Sequence, residues 1–271
     1  MLQSRRLAAL LLVPVSLMQL RLLPLLSRAW LPLAALALWW TATHRGWVPA
    51  LLLPQPETVL ARALELAQSG ELARHAAVSL GRVLLGFALS ATLALSLAVL
   101  THASKGLEAA LSLFLGALRV IPPLSLVPLL ILWLGIDEAS KVAIVVLATF
   151  FPVFLTVRAG FAALEAEYAE LRHAFSLTAG QYWRHILLPG VVPALRTGLS
   201  IGYGYAWRAL VAAELIAAAS GLGYLIGDAA VFMHTDTVLV GIFTIALLGV
   251  GSQWLLTALV RVLFRRRAWL R

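Results

Sequence analysis

Long stretches without a charged residue constrain this chain more than any other feature of its sequence. Such stretches, 16 to 24 residues long, cover 29–44, 83–104, 120–136, 142–157 and 237–260. A sixth apolar stretch, 195–219, is interrupted by Arg196, Arg208 and Glu214. A helix needs about 20 apolar residues to cross the hydrocarbon core of a bilayer, and Lys or Arg at its ends can reach the interface. The sequence therefore predicts an all-α, polytopic bundle of about six membrane-spanning helices.

The composition excludes the soluble classes of protein. Only 12% of the residues are charged and 62% are hydrophobic, whereas a soluble domain has about 25% charged residues. So few polar groups cannot cover the surface of a soluble enzyme. Within 107–136, Pro122, Pro123 and Pro128 must break or kink a helix. Five spans and a re-entrant segment is therefore the alternative count.

The distribution of basic residues predicts the orientation in the membrane. The chain has a formal net charge of +9. If the N-terminus is cytoplasmic, 14 of the 21 Lys and Arg residues lie in cytoplasmic segments and four lie in outer ones. Cytoplasmic loops collect Lys and Arg, so both termini are expected in the cytoplasm. The same distribution explains the basicity without nucleic acid.

Two segments outside the spans have their own patterns. Residues 1–28 are expected to be an N-terminal cytoplasmic or interfacial segment, and 29–271 the transmembrane domain. A basic start followed by an apolar run also resembles a signal peptide, but no clear cleavage site follows it. Residues 54–75 read as one amphipathic helix, which would lie on the membrane surface or under a partner.

No catalytic or metal-binding pattern is found. His173 and His185 lie twelve residues apart, and His234-x-Asp236 has no third ligand near it. The lysines, Lys105 and Lys141, each follow a serine, so no Gly-Lys dipeptide of a Walker A loop exists to hold a nucleotide phosphate. The chain is therefore predicted not to be an enzyme and to need no cofactor or metal. If ATP drives it, another chain hydrolyses the ATP.

Charged residues inside the spans are candidates for function. Arg82, Arg119, Arg208 and Glu214 lie in apolar sequence, and each costs about 2.5–3.5 kcal/mol at a helix centre. Such residues usually face the bundle interior or a water path, although Arg82 could instead snorkel from the end of its span. Ser200, Tyr203, Trp207 and Glu214 share one helix face. This stripe lines a pore in one interpretation and forms a hydrogen-bonded seam between helices in the other.

The long loop 165–193 is patterned. Leu164, Tyr168, Leu171 and Phe175 form an apolar stripe at helical spacing. Thr178-x-x-Gln181 can form a capping box that starts a second short helix, which would end before Leu188-Pro189. The two short helices would either lie on the lipid or, more naturally, dock into another protein through their aromatic side chains.

This loop resembles the cytoplasmic EAA loop of ABC importer permeases. Glu170-Leu171-Arg172 stands where Glu-Ala-Ala is expected, Ser176 falls at the expected glycine with Gly180 four residues later, and Leu188-Pro189 closes the motif. Further segments are similar to the nitrate, sulfonate, taurine and bicarbonate branch of these permeases. They are Leu53-Pro54-x-Pro56, Ser79-Leu80-x-Arg82-Val83-Leu84-x-Gly86-Phe87, Leu118-Arg119-Val120-Ile121-Pro122-Pro123, Leu130-Ile131-Leu132-Trp133-x-Gly135-Ile136, Phe150-Phe151-Pro152 and Val211-Ala212-Ala213-Glu214.

The resemblance implies a MetI-like permease fold in a bacterial inner membrane, a permease homodimer, ABC ATPase subunits and an extracytoplasmic binding protein that delivers an anion. The region 162–193 would be the coupling loop. Its expected coupling residues are Glu170, Leu171, Arg172, Ser176, Gly180, Leu188 and Pro189. The expected translocation-path residues are Arg119, Ser200, Tyr203, Trp207, Arg208 and Glu214. An ion-gradient-driven transporter or channel, and then a membrane enzyme, are the alternatives.

Overall fold

A computed structural model describes residues 30–264 of the chain. Within that range every regular element is a helix and no strand occurs, so the predicted all-α class is confirmed. The predicted N-terminal segment 1–28 and the basic end, 265–271, lie outside the described residues. The chain divides into two units, Met1–Ala61 and Arg62–Arg271.

The first unit contains helix α1, which is described from 30 to 44, and the start of α2, Pro56–Gln68. Two tryptophans of α1 hold the connecting segment. The indole N–H of Trp39 donates to the carbonyl of Pro54 at 3.0 Å, and that of Trp40 donates to the Glu57 carboxylate at 2.8 Å. A hydrogen bond from its own backbone N–H, with help from Trp40, keeps the pKa of Glu57 below its usual value.

The single amphipathic helix predicted for 54–75 is wrong. Helix α2 ends at Gln68, and Gly70 has a φ of 77° before α3, Glu71–Ala103, begins. Glycine reaches this left-handed conformation without the steric cost of a Cβ, which is why it commonly ends helices. His75, placed on the amphipathic surface helix by the prediction, is buried within α3.

The second unit is built around three helices. Helices α3, α6 (Glu138–Ala174) and α8 (Val192–Ala217) pack on one another, and Phe87, Phe154 and Tyr203 lie in the shared core. Between α3 and α6 the chain forms α4, Lys105–Leu118, a 3₁₀ turn, Pro123–Leu126, and α5, Val127–Leu134. The remaining helices are α7, Ala179–Gly190, α9, Leu222–Val231, and α10, Thr235–Leu263.

The helix lengths fit a polytopic membrane protein. In the described range, α3, α6 and α10 are each long and apolar enough to span a bilayer. The count rises to five if two bent pairs are single spans: α4 with Pro123–Leu134, bent by 82°, and α7 with α8, bent by 48°. The remaining predicted stretch, 29–44, is helical from 30 onward. The bend at Pro122–Pro123 fits either of the two predicted arrangements, a broken span or a re-entrant segment.

Small residues bring α6 and α8 together. A Cβ on Gly202 would lie 2.6 Å from Val153 Cγ2, and one on Gly160 would lie 2.4 Å from Ala194 Cβ. A Cβ on Gly198 would meet Thr156 Cβ at 3.2 Å. The Gly198-x-x-x-Gly202 pair therefore lies at a close helix–helix contact, as its spacing predicts.

Candidate translocation path and coupling loop

The long loop begins as a continuation of a span. Helix α6 extends without interruption to Ala174, so the first of the two short helices expected here is the end of α6. The segment Ala162–Leu171 explains this, because all of its residues except Tyr168 are Ala, Leu or Glu, which are good helix formers. Ser176 then takes a φ of 47°, and the chain turns. The serine at the glycine position of the EAA pattern thus adopts a conformation that favours glycine.

The second helix of the loop starts with the predicted capping box. The backbone N–H of Gln181 donates to Thr178 Oγ1 at 3.3 Å, and Gln181 Oε1 accepts from the backbone N–H of Thr178 at 3.0 Å. The sequence predicted that this helix ends before Leu188, but it continues to Gly190. A π-helical turn, Trp183–Leu187, lets the Leu188 N–H bond to the Trp183 carbonyl, and Pro189 has no N–H that needs a partner.

Most of the predicted coupling residues are exposed, and two neighbouring residues anchor the loop. Tyr182 and Leu187 are buried and attach α7 to the bundle, and the Arg172 guanidinium lies 5.1 Å from the centre of the Tyr182 ring. Glu170, Leu171, Ser176, Gly180 and Leu188 are exposed, whereas Pro189 is half-buried. Between α6 and α7 a groove of about 380 Å³ is lined by Leu164, Glu167, Tyr168, His185, Ile186, Pro189 and Gly190. The loop therefore presents a shaped, partly apolar surface.

At the end of α6 opposite this loop, Arg82 joins three helices. Its Nε donates to Glu138 at 2.6 Å, and its Nη1 donates to Glu214 at 2.7 Å and to the Ser220 carbonyl at 2.7 Å. The Arg82 side chain is 4% exposed and that of Glu214 is 0% exposed, whereas that of Glu138 is 65% exposed. Arg82 therefore does not snorkel, and both intramembrane charges face the bundle interior.

The segment after α8 closes over this Arg82 cluster, which comprises Ser79, Arg82, Glu138, Glu214 and the backbone of 220–223. The backbone N–H of Gly223 donates to Glu214 at 2.9 Å, and Ser79 Oγ donates to the same carboxylate at 2.9 Å. A Cβ on Gly221 would lie 2.3 Å from Glu214 Oε1. The glycines at 221 and 223 therefore admit a buried carboxylate.

A cavity of about 570 Å³, here called the path cavity, lies between the start of the α4–α5 bend, α6 and α8. Its lining is apolar except for Arg119, Thr156 and Tyr205. Among the described residues, Arg119 makes no ion pair and is exposed. An unpaired cation in an apolar cavity is a favourable place for an anion.

The other predicted path residues lie on α8 but away from this cavity. Ser200 Oγ accepts from Gln253 of α10 at 2.7 Å, and the indole N–H of Trp207 donates to Ser252 at 3.3 Å. Tyr203 is buried against Phe87. Of the two interpretations of this stripe, these contacts fit the hydrogen-bonded seam between helices. Arg208 is exposed and lies over the Tyr205 ring at 5.5 Å.

Several residues of these sites were missed by sequence analysis. Ser79, Glu138 and Ser220 complete the Arg82 cluster. Glu138 is the first residue of α6, and no sequence motif marks it as part of a site. Ile201 and Tyr205, which line the path cavity, lie one and two positions from residues of the predicted stripe. Among the described residues, no three His, Asp or Glu side chains come together to hold a metal ion.

Comparison with known proteins identifies the family. Residues 78–265 match the family described as binding-protein-dependent transport system inner membrane component. The chain belongs to this family. The matched range includes the Arg82 cluster, the lining of the path cavity and the loop 165–193.

Individual permeases are similar over most of this permease. The putative aliphatic sulfonates transport permease SsuC of Escherichia coli (strain K12) is 36% identical, over 81% of this chain and 83% of its own length. The taurine transport system permease TauC of the same organism is 34% identical, over 83% and 84%. The nitrate import permease NrtB of Synechocystis sp. (strain PCC 6803) is 33% identical, over 66% and 63%.

The family settles the general role of the permease. It is a multi-pass inner-membrane component of an ABC importer and transports rather than catalyses. The family also implies an ATPase and a binding protein as partners.

Proposed function

We propose that this permease forms the translocation path for an anion of the sulfonate, taurine or nitrate class. Relatives named for sulfonates, taurine and nitrate support the substrate class. The observation that carries the proposal is Arg119, an exposed cation without an ion pair among the described residues, in the wall of an apolar cavity. A binding protein on the outer side would deliver the anion to this cavity.

Within the path, the six candidate residues divide into two roles. Arg119 and Arg208 are exposed and would offset the charge of the passing anion. Ser200, Tyr203, Trp207 and Glu214 would hold α8 in register with α10 and α3, so that the cations keep their positions. The second role is supported by the bonds of Ser200 and Trp207 to α10 and of Glu214 to α3.

The loop 165–193 would couple the permease to its ATPase. Its exposed corner and the groove beside α7 offer a docking surface, and the buried Tyr182 and Leu187 would transmit displacement to α6 and α8. Closing of the ATPase subunits would then rock the helices between inward-open and outward-open states. Two permease copies would form the path, each with both termini in the cytoplasm.

Transport by the reconstituted complex tests the path. The permease would be purified with its co-purifying ATPase, placed in proteoliposomes with its binding protein, and supplied with labelled taurine, an alkanesulfonate or nitrate. Loss of a charge-assisted contact worth about 1.5–3 kcal/mol should lower uptake by Arg119→Gln at least about tenfold. Arg196→Gln is the matched control, since Arg196 lies outside the path cavity. Equal uptake by Arg119→Gln and wild type would contradict the role of Arg119.

Co-purification tests the coupling loop. An ABC ATPase should purify with the wild type from gently solubilised membranes and be lost with Glu170→Lys, which reverses a charge on the exposed surface of α6. Lys105→Glu, a reversal outside the coupling loop, is the control. A wild type that purifies without an ATPase, and takes up its anion in response to an ion gradient, would favour the secondary-transporter alternative.

A further inference from the structure

A second cavity adjoins the path cavity. It has a volume of about 160 Å³ and shares Arg119, Phe151 and Leu155 with its larger neighbour. Its own lining is more polar, because Thr101, Glu108, Ser112 and Arg158 contribute to it. A molecule at Arg119 therefore borders both cavities.

The position of each cavity along α6 gives their order. The path cavity is lined by α6 residues from Leu147 to Thr156, and the second cavity by residues from Phe151 to Arg158. Helix α6 runs toward the coupling loop. At about 1.5 Å per residue, the second cavity is therefore displaced toward the coupling loop, the end at which an imported solute would leave.

The second cavity has its own cation, and that cation already has an anionic partner. Arg158 Nη2 of α6 donates to Glu108 Oε1 of α4, and the two side chains are each 39% exposed. Because the pair is partly exposed, it can open without leaving a buried charge. The five N–H donors of a guanidinium bind a carboxylate and other oxyanions in the same geometry. An incoming oxyanion can therefore take the place of the Glu108 carboxylate.

We propose that Arg158 is a second anion-binding site on the path, after Arg119, and that Glu108 is its internal competitor. This inference rests on the proposed function. A sequence of sites helps transport only if each binds weakly enough to release the solute. Glu108 would supply that weakness, since it reclaims Arg158 once the anion moves on. The ligand class is a singly charged sulfonate or oxyanion.

Three variants in the proteoliposome assay separate this role from a purely structural ion pair. They are Arg158→Gln, Glu108→Gln and the double variant with both changes. If Arg158 binds the anion, Arg158→Gln and the double variant should each lose at least about tenfold in uptake, the effect of one charge-assisted contact. Glu108→Gln keeps the cation and removes its competitor, so the solubilised complex should retain the labelled anion several-fold more tightly than wild type, while the maximal rate of uptake falls. Arg158→Lys, which retains the charge, should recover much of the loss.

A structural pair gives the opposite pattern in the double-mutant cycle. Both single variants would then lower uptake and the melting temperature of the complex alike, and the neutral double variant would restore them; this result would overturn the proposal. Arg196→Gln, an arginine that lines neither cavity, should import at the wild-type rate, and an equal loss there would also overturn it. A wild type that assembles with its ATPase but imports none of the three solutes would instead refute the proposed function.

Discussion

At the scale of single residues, Glu214 accepts hydrogen bonds from three groups that come from two separate parts of the chain, α3 and the segment after α8. Its carboxylate accepts hydrogen bonds from Ser79, Arg82 and the backbone of Gly223. Glu138 shares Arg82 with it but remains largely exposed. The two carboxylates therefore bind the same guanidinium, although only Glu214 is enclosed.

This difference predicts unequal effects of neutralising the two carboxylates. Glu214→Gln leaves Arg82 buried with part of its charge uncompensated, and breaking a buried pair in this way costs about 3–5 kcal/mol. Glu138→Gln should cost clearly less, because water can replace an exposed carboxylate. Thermal unfolding of the detergent-solubilised permease, followed by size-exclusion chromatography, measures both. Equal losses of melting temperature would show that the enclosure of Glu214 does not matter.

Ser176 permits a stabilising substitution. A non-glycine residue in the left-handed region costs about 1–2 kcal/mol, so Ser176→Gly should stabilise the corner between α6 and α7. Ser176→Val, with a β-branched side chain, should destabilise it. Limited proteolysis of the coupling loop reports the order of protection, which should be Gly, then Ser, then Val. A glycine variant that is cut faster than the wild type would contradict the argument.

The residue scale also shows what sequence can and cannot supply. Arg82 and Glu214 were recognisable as functional or interior residues, because a charge within an apolar span is costly. Their pairing was not recognisable, since 132 residues separate them along the chain. Neither Glu138 nor the Arg158–Glu108 pair lies in a local pattern, so only the packing of helices brings these groups together.

At the scale of elements, the close contact between α6 and α8 depends on particular glycines. Gly202 lies against Val153, whereas Gly204, on the same helix, has nothing within 4 Å of the position of an added Cβ. The two glycines therefore form a matched pair in which only one is needed for packing.

Alanine substitutions at these two positions should have opposite effects. Both replace glycine in a helix interior, which by itself is favourable by about 0.5–1 kcal/mol. Gly204→Ala should therefore be neutral or stabilising. Gly202→Ala must push Val153 away and should lower the melting temperature and the yield of assembled complex. If both variants melt at the wild-type temperature, the contact tolerates a methyl group.

Prediction of elements succeeded where the signal was local. The capping box of Thr178 and Gln181 depends on side chains three residues apart, and it forms as expected. The prediction of one helix over 54–75 was wrong, because the amphipathic pattern of side chains continues across Ser69-Gly70 while the helical backbone is interrupted there. The bend after Leu118 was predicted from the prolines, whereas its angle of 82° was not.

At the scale of the whole molecule, the orientation in the membrane can be measured directly. The chain contains no cysteine, so single cysteines can be introduced without removing any. Ser69→Cys, before α3, and Ala179→Cys, at the start of α7, are both exposed. If the termini are cytoplasmic, a membrane-impermeant maleimide should label Ser69→Cys in intact spheroplasts and Ala179→Cys only after lysis. The reverse pattern would invert the proposed topology.

Under the proposed coupling, the continuous helix α6 would transmit displacement along its whole length. At 37 residues and about 1.5 Å per residue, it is about 55 Å long, so a tilt of about 5° at one end moves the other by about 5 Å. Its C-terminal end leads into the proposed coupling loop, and its N-terminal end begins with Glu138. A movement of the ATPase at one end of α6 would therefore displace the other end, on the far side of the membrane, because the two ends belong to one helix. Pro152, inside α6, is the position where α6 should bend most easily, because a proline cannot make one of the backbone hydrogen bonds of the helix.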